Sequence, residues 1–533
     1  MEDFQDLKNK GFKYHQENNL DNAERCYKKA LKINSKNAEA HNLLGLVKLQ
    51  QNNFEEAIDW IKKAIDIEKN AYFYETLFQA LAIQEKYSEI INYENEITEY
   101  LEKEFSLNFY LAFAYKNLNE IKKSIYYYEK ATKLNPNSYD SWFNLSHLYS
   151  IEGETFKALE ALKVCKNLNP EDSETEYFLS LAYMRVKDYD NGLNYFEKRF
   201  CKEIAFLTQN KTFPTKATRE NLWHGEDIKD KSILVYYEAG FGDVIMFARY
   251  LPILKERCKK IILHIQKPLK ALFEENPQLG IDEIIDGFVP EKEIDFDTHV
   301  PMLSLPYLLN LKGNEVFTGH EGYVKPNAEK VEEYKKKYFD NDKIKIGIKW
   351  QGNTYYDKDR VIPTEAFYPL IEMANTQFYS FQTEEGSEEV KKLTDKYDVV
   401  DIGKDLKDFA ITSATLSNLD LVICNDTSLA HLAGALNIPC YILLPYEVNW
   451  RWHTDLNKCD WYDSVKLFRQ KSIGDWKDVF QEVLKVMNRH NRARNDNNFN
   501  NWSEPSTELR SPFPSFGRRE NSIHNSLPTT FVV

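Results

Sequence analysis

The sequence predicts an all-α repeat solenoid followed by an α/β half made of two Rossmann-like lobes, and three observations carry that prediction. Small and aromatic residues recur with a spacing of 34 through the N-terminal part. Beyond Phe200 this period stops, and short apolar runs alternate with helical stretches. At two places such a run ends in a turn rich in Gly, Asp, Thr or Ser that opens a helix.

The chain has 533 residues, 42% hydrophobic and 29% charged, which is the composition of a globular protein of two or three domains. Lys plus Arg number 69 against 83 Asp plus Glu, a net charge of −14. No basic excess is available to neutralise a phosphate backbone, so a general nucleic-acid binder is excluded. The start, Met1 to Asp6, is acidic and lacks the regions of a secretory signal. The two most apolar stretches, Ile233 to Leu254 and Leu419 to Pro445, are broken by Glu238, Asp243, Arg249, Asp420 and Asp426. A cytoplasmic protein with no transmembrane segment is expected. The 7 cysteines are scattered without a Cys-x-x-Cys pair, which points to neither a disulfide framework nor a zinc site.

Within the first region Gly11 recurs as Gly45, Ala23 as Ala57, Ala30 as Ala64 and Pro136 as Pro170. Tyr14, Tyr115, Tyr149 and Tyr183 share one equivalent position. Small residues there let two antiparallel helices approach, and the aromatics fill the space between neighbouring pairs. The pattern resembles the tetratricopeptide repeat. About six units begin near Phe4, Ala38, Ala71, Phe105, Tyr139 and Ser173. The third has lost its small residues around Tyr87, Ile90 and Ile91, so distortion is expected there. Such an array offers a groove for a partner, with Asn42, Asn108 and Asn144 as candidates to bond an extended backbone.

A polar linker from Thr208 to Arg219 leads into the first lobe, with strands expected at 232–237, 261–265, 284–286 and 298–300, and a helix from Val244 to Lys260. A second series of strands is expected at 345–350, 377–382, 399–402, 419–424 and 440–444, with a final helix, Trp476 to Met487, available to cross back. The expected domains are 1–204, 205–340 and 341–487, with a disordered tail over 488–533 where arginine replaces lysine and prolines accumulate. In open α/β sheets, ligands sit at the carboxyl ends of the strands.

Three segments fall at such ends. In Glu238-Ala239-Gly240-Phe241-Gly242-Asp243, the glycines Gly240 and Gly242 permit a tight turn, and Asp243 stands where it either caps the helix or faces a ligand. The segment lacks the third glycine of a dinucleotide fingerprint, which disfavours a dehydrogenase. In Asn425 to Ala435, a helix start with the Thr427 and Ser428 hydroxyls forms a cradle for a diphosphate, and His431 follows inside the helix, where taken alone it reads as a satisfied core residue. Lys349 ends an apolar strand, from which its ammonium is placed to neutralise a leaving phosphate. Asp357-Lys358-Asp359 has metal-like spacing but reads as a solvated loop, and Arg360 beside it faces the same cleft.

Together with Phe247 to Tyr250, Ser380-Phe381-Gln382, Trp450-Arg451-Trp452, Trp461-Tyr462, Leu467 to Gln470 and Trp476, these segments resemble glycosyltransferase family 9, the ADP-heptose:lipopolysaccharide heptosyltransferases, from about Trp223 to Trp476. The combination resembles bacterial proteins that join such a domain to tetratricopeptide repeats. The resemblance implies a GT-B fold and an inverting, metal-independent sugar transfer. It implies Asp243 as the base, with Gly240, Gly242, Lys349, Gln382, Asp426, Thr427, Ser428 and His431 around the donor and Arg360 and Arg451 as further candidates. A nucleotide-diphosphate sugar would be the donor substrate, no cofactor is expected, and a protein or glycan would reach the site through the repeat groove. The contrasting class is a non-catalytic scaffold that keeps a degenerate sugar-nucleotide site.

Overall fold

A computed structural model of the chain describes residues 2–200, 220–287, 294–353, 358–447, 449–453 and 459–495. The expected linker over 208–219, the 204/205 boundary, Asp357 and the tail beyond Asn495 lie outside the described residues.

The N-terminal region is a stack of helix pairs: Phe4–Gln16 and Leu20–Ile33, Ala38–Gln50 and Phe54–Ile67, Ala71–Ile83 and Tyr87–Asn92, Phe105–Asn117 and Ile121–Leu134, Tyr139–Ile151 and Thr155–Leu168, Ser173–Arg185 and Tyr189–Phe196, here α1 to α12 in order. Local chemistry sets these bounds. Asp3, Asn37, Ser138 and Asp172 each accept a bond from a backbone N–H of the helix they precede. Between the two helices of each pair stands one left-handed residue: Asn18, Asn52, Glu85, Asn119, Gly153 or Lys187. Asn and Gly occupy four of those six positions because they tolerate that conformation at least cost. The small residues have the expected reason. A Cβ on Gly45 would stand 2.5 Å from Ile61 Cγ1, so α3 and α4 approach as closely as they do only with glycine there.

The third pair is distorted as its sequence predicts. Its second helix, α6, covers only 6 residues, and turns follow through Lys103. That irregular stretch supplies Glu94, which accepts from the hydroxyls of Tyr115 and Tyr127, and Glu96, which accepts from Tyr74 at 2.6 Å. The asparagines expected to bond an extended backbone are engaged within the array instead. Asn42 and Asn108 are fully buried, because their positions face the neighbouring pair, and Asn108 spends its amide on the carbonyls of Leu101 and Glu104. Asn144 is held by Lys116 at 2.5 Å and by the Asp140 carbonyl.

The α/β half contains two all-parallel sheets. Strands β1 (Ile228–Tyr236), β2 (Cys258–Ile265), β3 (Glu283–Asp286) and β4 (Thr298–Pro301) form the first, in the order β3-β2-β1-β4. Strands β5 (Ile344–Lys349), β6 (Thr376–Ser380), β7 (Val399–Asp401), β8 (Leu421–Asn425), β9 (Cys440–Leu444) and β10 (Val465–Arg469) form the second, in the order β10-β9-β8-β5-β6-β7. Near-continuous burial along β8 and β9 is what parallel strands covered on both faces require.

Several expectations need correction. The helix expected over 244–260 is shorter and begins earlier: Phe241–Phe247, a 3₁₀ turn at Ala248–Tyr250, and Leu251–Lys255, with Pro252 starting the last piece. Cys258, Lys259 and Lys260 belong instead to β2. Strand β10 was not expected, because Val465–Arg469 is a run of five residues that includes Lys466 and Arg469 and leaves too short an apolar stretch to stand out. The final helix does not cross back. It packs Trp476, Phe480, Val483 and Met487 against Ile346, Ile348 and Phe367 on the outer face of its own sheet, and it continues past Met487 to Asn495. Among the described residues, no helix is long and apolar enough to cross a membrane. The six described cysteines are buried thiols.

One apolar core runs through both lobes and into the last repeat, where Met184, Tyr189, Leu193 and Phe196 join Trp223, Trp450 and Trp461. The array is therefore docked on the α/β half rather than tethered to it.

Candidate functional site

The carboxyl ends of β1, β5 and β8 converge on a cleft of about 860 Å³ between the two sheets. Its first-lobe wall is the glycine turn after β1. The base of that turn is Glu238, 3% exposed at its side chain, which accepts from Arg199 Nε and Nη2, both at 2.8 Å, and from the Leu303 N–H at 3.1 Å. Arg199 comes from the last repeat and is 1% exposed; it also reaches Glu197 and Ser304. Burial opposes the charge of this guanidinium, but the two carboxylates around it, Glu238 first, outweigh that and raise its pKa further. Arg199 carries no motif of its own, and the only signal for it is a buried-helix cap rich in charge, Glu197-Lys198-Arg199.

Gly240 opens the helix Phe241–Phe247, and Asp243 lies inside its first turn rather than capping it. The Asp243 carboxylate accepts from Arg451 Nε at 2.9 Å and from Arg451 Nη2. This pair joins residues 208 apart in sequence and spans the two lobes. Gly242 has a packing reason. A Cβ there would stand 2.8 Å from His431 Cδ2, so glycine lets this helix rest on the helix Ser428–Ala435.

The second-lobe wall carries most of the other sequence-derived candidates. Lys349 ends β5, is buried, and has its ammonium 3.4 Å from both the Phe381 carbonyl and Thr383 Oγ1. Burial pushes its pKa down to about 8. The Gln382 carbonyl oxygen accepts from the N–H groups of Trp350 and Gln351 at 3.2 and 3.1 Å, and its amide donates to Glu385 O at 2.6 Å. Gln382 thus fixes the loop behind Lys349. Asp426 follows β8 and is bonded through Oδ2 to Arg360 Nη1 at 3.0 Å. Thr427 is the N-cap of the helix Ser428–Ala435 and makes no side-chain capping bond there, while both Thr427 and Ser428 line the cleft. First-turn N–H groups left without a side-chain cap are the feature that draws anionic oxygen to such a position.

His431 is placed elsewhere. It is buried behind the glycine turn, stacked on Trp452 at 5.1 Å, with Nδ1 3.1 Å from the Tyr462 hydroxyl, and it does not line the cleft. Burial pushes its pKa down to about 4, so it packs as a neutral ring. Among the described residues, no three His, Cys, Asp or Glu side chains converge to hold a metal ion.

The joint between the lobes is reinforced by Arg249, fully buried, which donates to the carbonyls of Trp461 at 3.0 Å and Thr318 at 3.3 Å. From the array, the Tyr189 hydroxyl meets His453 Nε2 across 264 positions.

Tetratricopeptide-repeat models match residues 11–52, 38–71, 105–138 and 127–160, so the N-terminal array is a set of tetratricopeptide repeats. Protein FlbA of Caulobacter vibrioides is 23% identical over 411 residues, covering 70% of this chain and 65% of FlbA. Anaphase-promoting complex subunit CDC16 of Saccharomyces cerevisiae is 28% identical over 88 residues, 16% of this chain and 10% of that one. The chain thus spans just under two thirds of the first relative and a tenth of the second. A solved structure of a glycosyl transferase family 9 protein from Veillonella parvula aligns at 15% identity over 50% of this chain and 98% of its own, with a TM-score of 0.39. PilF of Pseudomonas aeruginosa aligns at 19% identity over 39% of this chain and 97% of its own, with a TM-score of 0.34.

Proposed function

We propose that the chain is an inverting, metal-independent glycosyltransferase that moves a sugar from a nucleotide-diphosphate donor to an acceptor recruited by its repeats. The observation that supports this most is the cleft itself. It sets Lys349 and a helix start without a side-chain cap on one wall, opposite Asp243 on the other. The diphosphate would lie on Thr427, Ser428 and Lys349, where charge develops as the nucleotide leaves. Asp426 would hold the donor sugar hydroxyls. Asp243 would take the proton of the attacking hydroxyl, and Arg451 holds that carboxylate in place.

The pair with Arg451 also supports the second reading, a non-catalytic scaffold. A guanidinium already bonded to Asp243 occupies the carboxylate and makes the pair a strut between the lobes. Two substitutions separate the readings. A thermal-shift and calorimetric screen of ADP-, GDP-, UDP- and dTDP-linked sugars is expected to yield one selective ligand, lost in Lys349→Ala. With that donor, Asp243→Asn is expected to lose about 10²- to 10⁴-fold in transfer rate while binding is kept. Absence of any ligand removes the catalytic reading, whereas full turnover by Asp243→Asn keeps the transferase and removes Asp243 from the role of base.

Lys349 also sets a pH dependence. Below pH about 8 it is an ammonium and binds the diphosphate; above that it becomes a neutral amine, so affinity is expected to fall as pH rises through about 8. For stability the sign is opposite. The folded pKa lies below the ordinary lysine value of 10.5, so the cost of burying the ammonium is present at low pH and is relieved as pH rises from about 8 towards 10.5.

A further inference from the structure

Asp426 and Arg360 form a wall with two sides. One faces the cleft; the other faces a second cavity of about 530 Å³, whose opposite side is the repeat array. The array contributes Ile151 and Arg185, the last residues of α9 and α11, which are equivalent positions of consecutive repeats. The second lobe contributes Arg469 and Gln470 at the end of β10.

Three nitrogens on residues lining this cavity have no hydrogen-bond partner among the described residues: Arg185 Nε, Arg469 Nε and Gln470 Nε2. Arg469 is 8% exposed and Gln470 4%. The other bonds of Arg469 go to the backbone carbonyls of Pro445, Glu447 and His453, so no carboxylate neutralises it directly. Arg185 donates to Ser150 Oγ, and its Nη2 makes a long ion pair with the mostly exposed Glu447, 4.0 Å from Oε1. Burial pushes the pKa of Arg185 down, and that of Arg469 down to about 10, the sign of cations held with too little compensation. Buried donors left in this way cost free energy until oxygen atoms meet them.

The charge count narrows what brings those oxygens. Arg185, Arg360 and Arg469 face Asp359, Asp426 and Glu447. Asp426 is engaged by Arg360, and the Glu447 side chain is 57% exposed. With the fixed charges balanced, a doubly charged phosphate would leave twice the excess negative charge of a carboxylate, and a carboxylate also matches the planar donor edge of a guanidinium group.

We propose that this cavity is a subsite for the sugar acceptor, binding the carboxylate of an Asp or Glu side chain of a polypeptide whose hydroxyl enters the cleft past Asp426. The inference rests on the transferase reading for the hydroxyl, but not for the carboxylate. The array wall selects a polypeptide over a free anion, because equivalent helix ends repeat along it as an extended chain would need.

The test uses the full chain without donor and labelled nonapeptides containing one Ser, with a single Glu or a single Gln at each position two to four residues to either side. Fluorescence anisotropy is expected to show at least one Glu peptide binding about tenfold more tightly than its Gln twin, a ratio of about 1.4 kcal/mol. Arg185→Gln and Arg469→Gln should each erase that ratio while the Lys349-dependent nucleotide-sugar affinity is kept. Should Arg469→Gln fail to fold, Arg185→Gln, on the array side, carries the test alone. Equal binding of all twins, or a preference that survives Arg185→Gln, overturns the proposal. Inorganic phosphate binding through Arg185 and Arg469 with no Glu preference also overturns it, by assigning the cavity to a free anion. A Glu preference in a chain that binds no nucleotide sugar would keep the subsite and remove the transferase.

Discussion

In the repeat array, buried polar groups such as Ser124 and Tyr139 find their partners in their own helix pair or the next one; in the α/β half, the pairs that join the two lobes span more than two hundred residues. Ser124 donates to Ala112 O, 12 positions off, and Tyr139 to Asp172, 33 positions off. Arg451 reaches Asp243 across 208 positions, and Arg249 reaches Trp461 across 212. The first region is a sum of nearest-neighbour terms, each repeat supported by those beside it. The second exists only once distant segments have met, and the candidate site lies where such pairs are densest. Arg199 belongs to the first region by sequence and to the second by its bonds.

That makes Arg199 the sharpest place to break the distinction. Arg199→Ala leaves Glu238 and Glu197 without their cation in a buried place, and is expected to cost about 3–5 kcal/mol. Denaturant unfolding followed by tryptophan fluorescence should show the α/β half and the last repeat losing stability together; loss confined to the array would show that the two regions are independent. Gly242→Ala comes next, at about 1–3 kcal/mol, because its Cβ meets the His431 ring that Trp452 and Tyr462 hold in place. Its thermal midpoint should fall with that of the interlobe joint while the array's helical signal is kept. The smallest effect belongs to Asp172→Ala. It removes the cap of α11, a bond from the Thr175 N–H at 2.8 Å and one from the Tyr139 hydroxyl at 2.7 Å, for about 1 kcal/mol. Hydrogen exchange should quicken over α11 and its neighbours and leave α1 to α4 unchanged; a change reaching the first repeats would mean longer-range cooperativity than the nearest-neighbour picture allows.

The same difference explains how much could be read in advance. The repeat period, nine of the ten strands and the two helix-opening turns were legible, because each is a local pattern of size and polarity. The weakness of the third repeat was legible too, as missing small residues around Tyr87. The role of Asn42 and Asn108 was misread, since an asparagine looks the same on a groove as inside one. His431 taken alone read as a core residue, and the helix does turn it behind Gly242; its place around a donor came only with the resemblance, and the fold shows which glycine and tryptophan enclose it.

By itself, the sequence determined that helices would pair at a period of 34, that two parallel sheets would follow, and that Lys349, Asp426 and Asp243 would stand at strand ends. These follow from backbone geometry acting over a few residues. Only the tertiary structure decided that Arg451 would hold Asp243, that Arg199 would anchor the glycine turn, and that Arg185 would face Arg469 across a shared cavity. No period or spacing links such residues; their partnership is set by the closure of loops many residues long, whose outcome depends on the packing of the whole core.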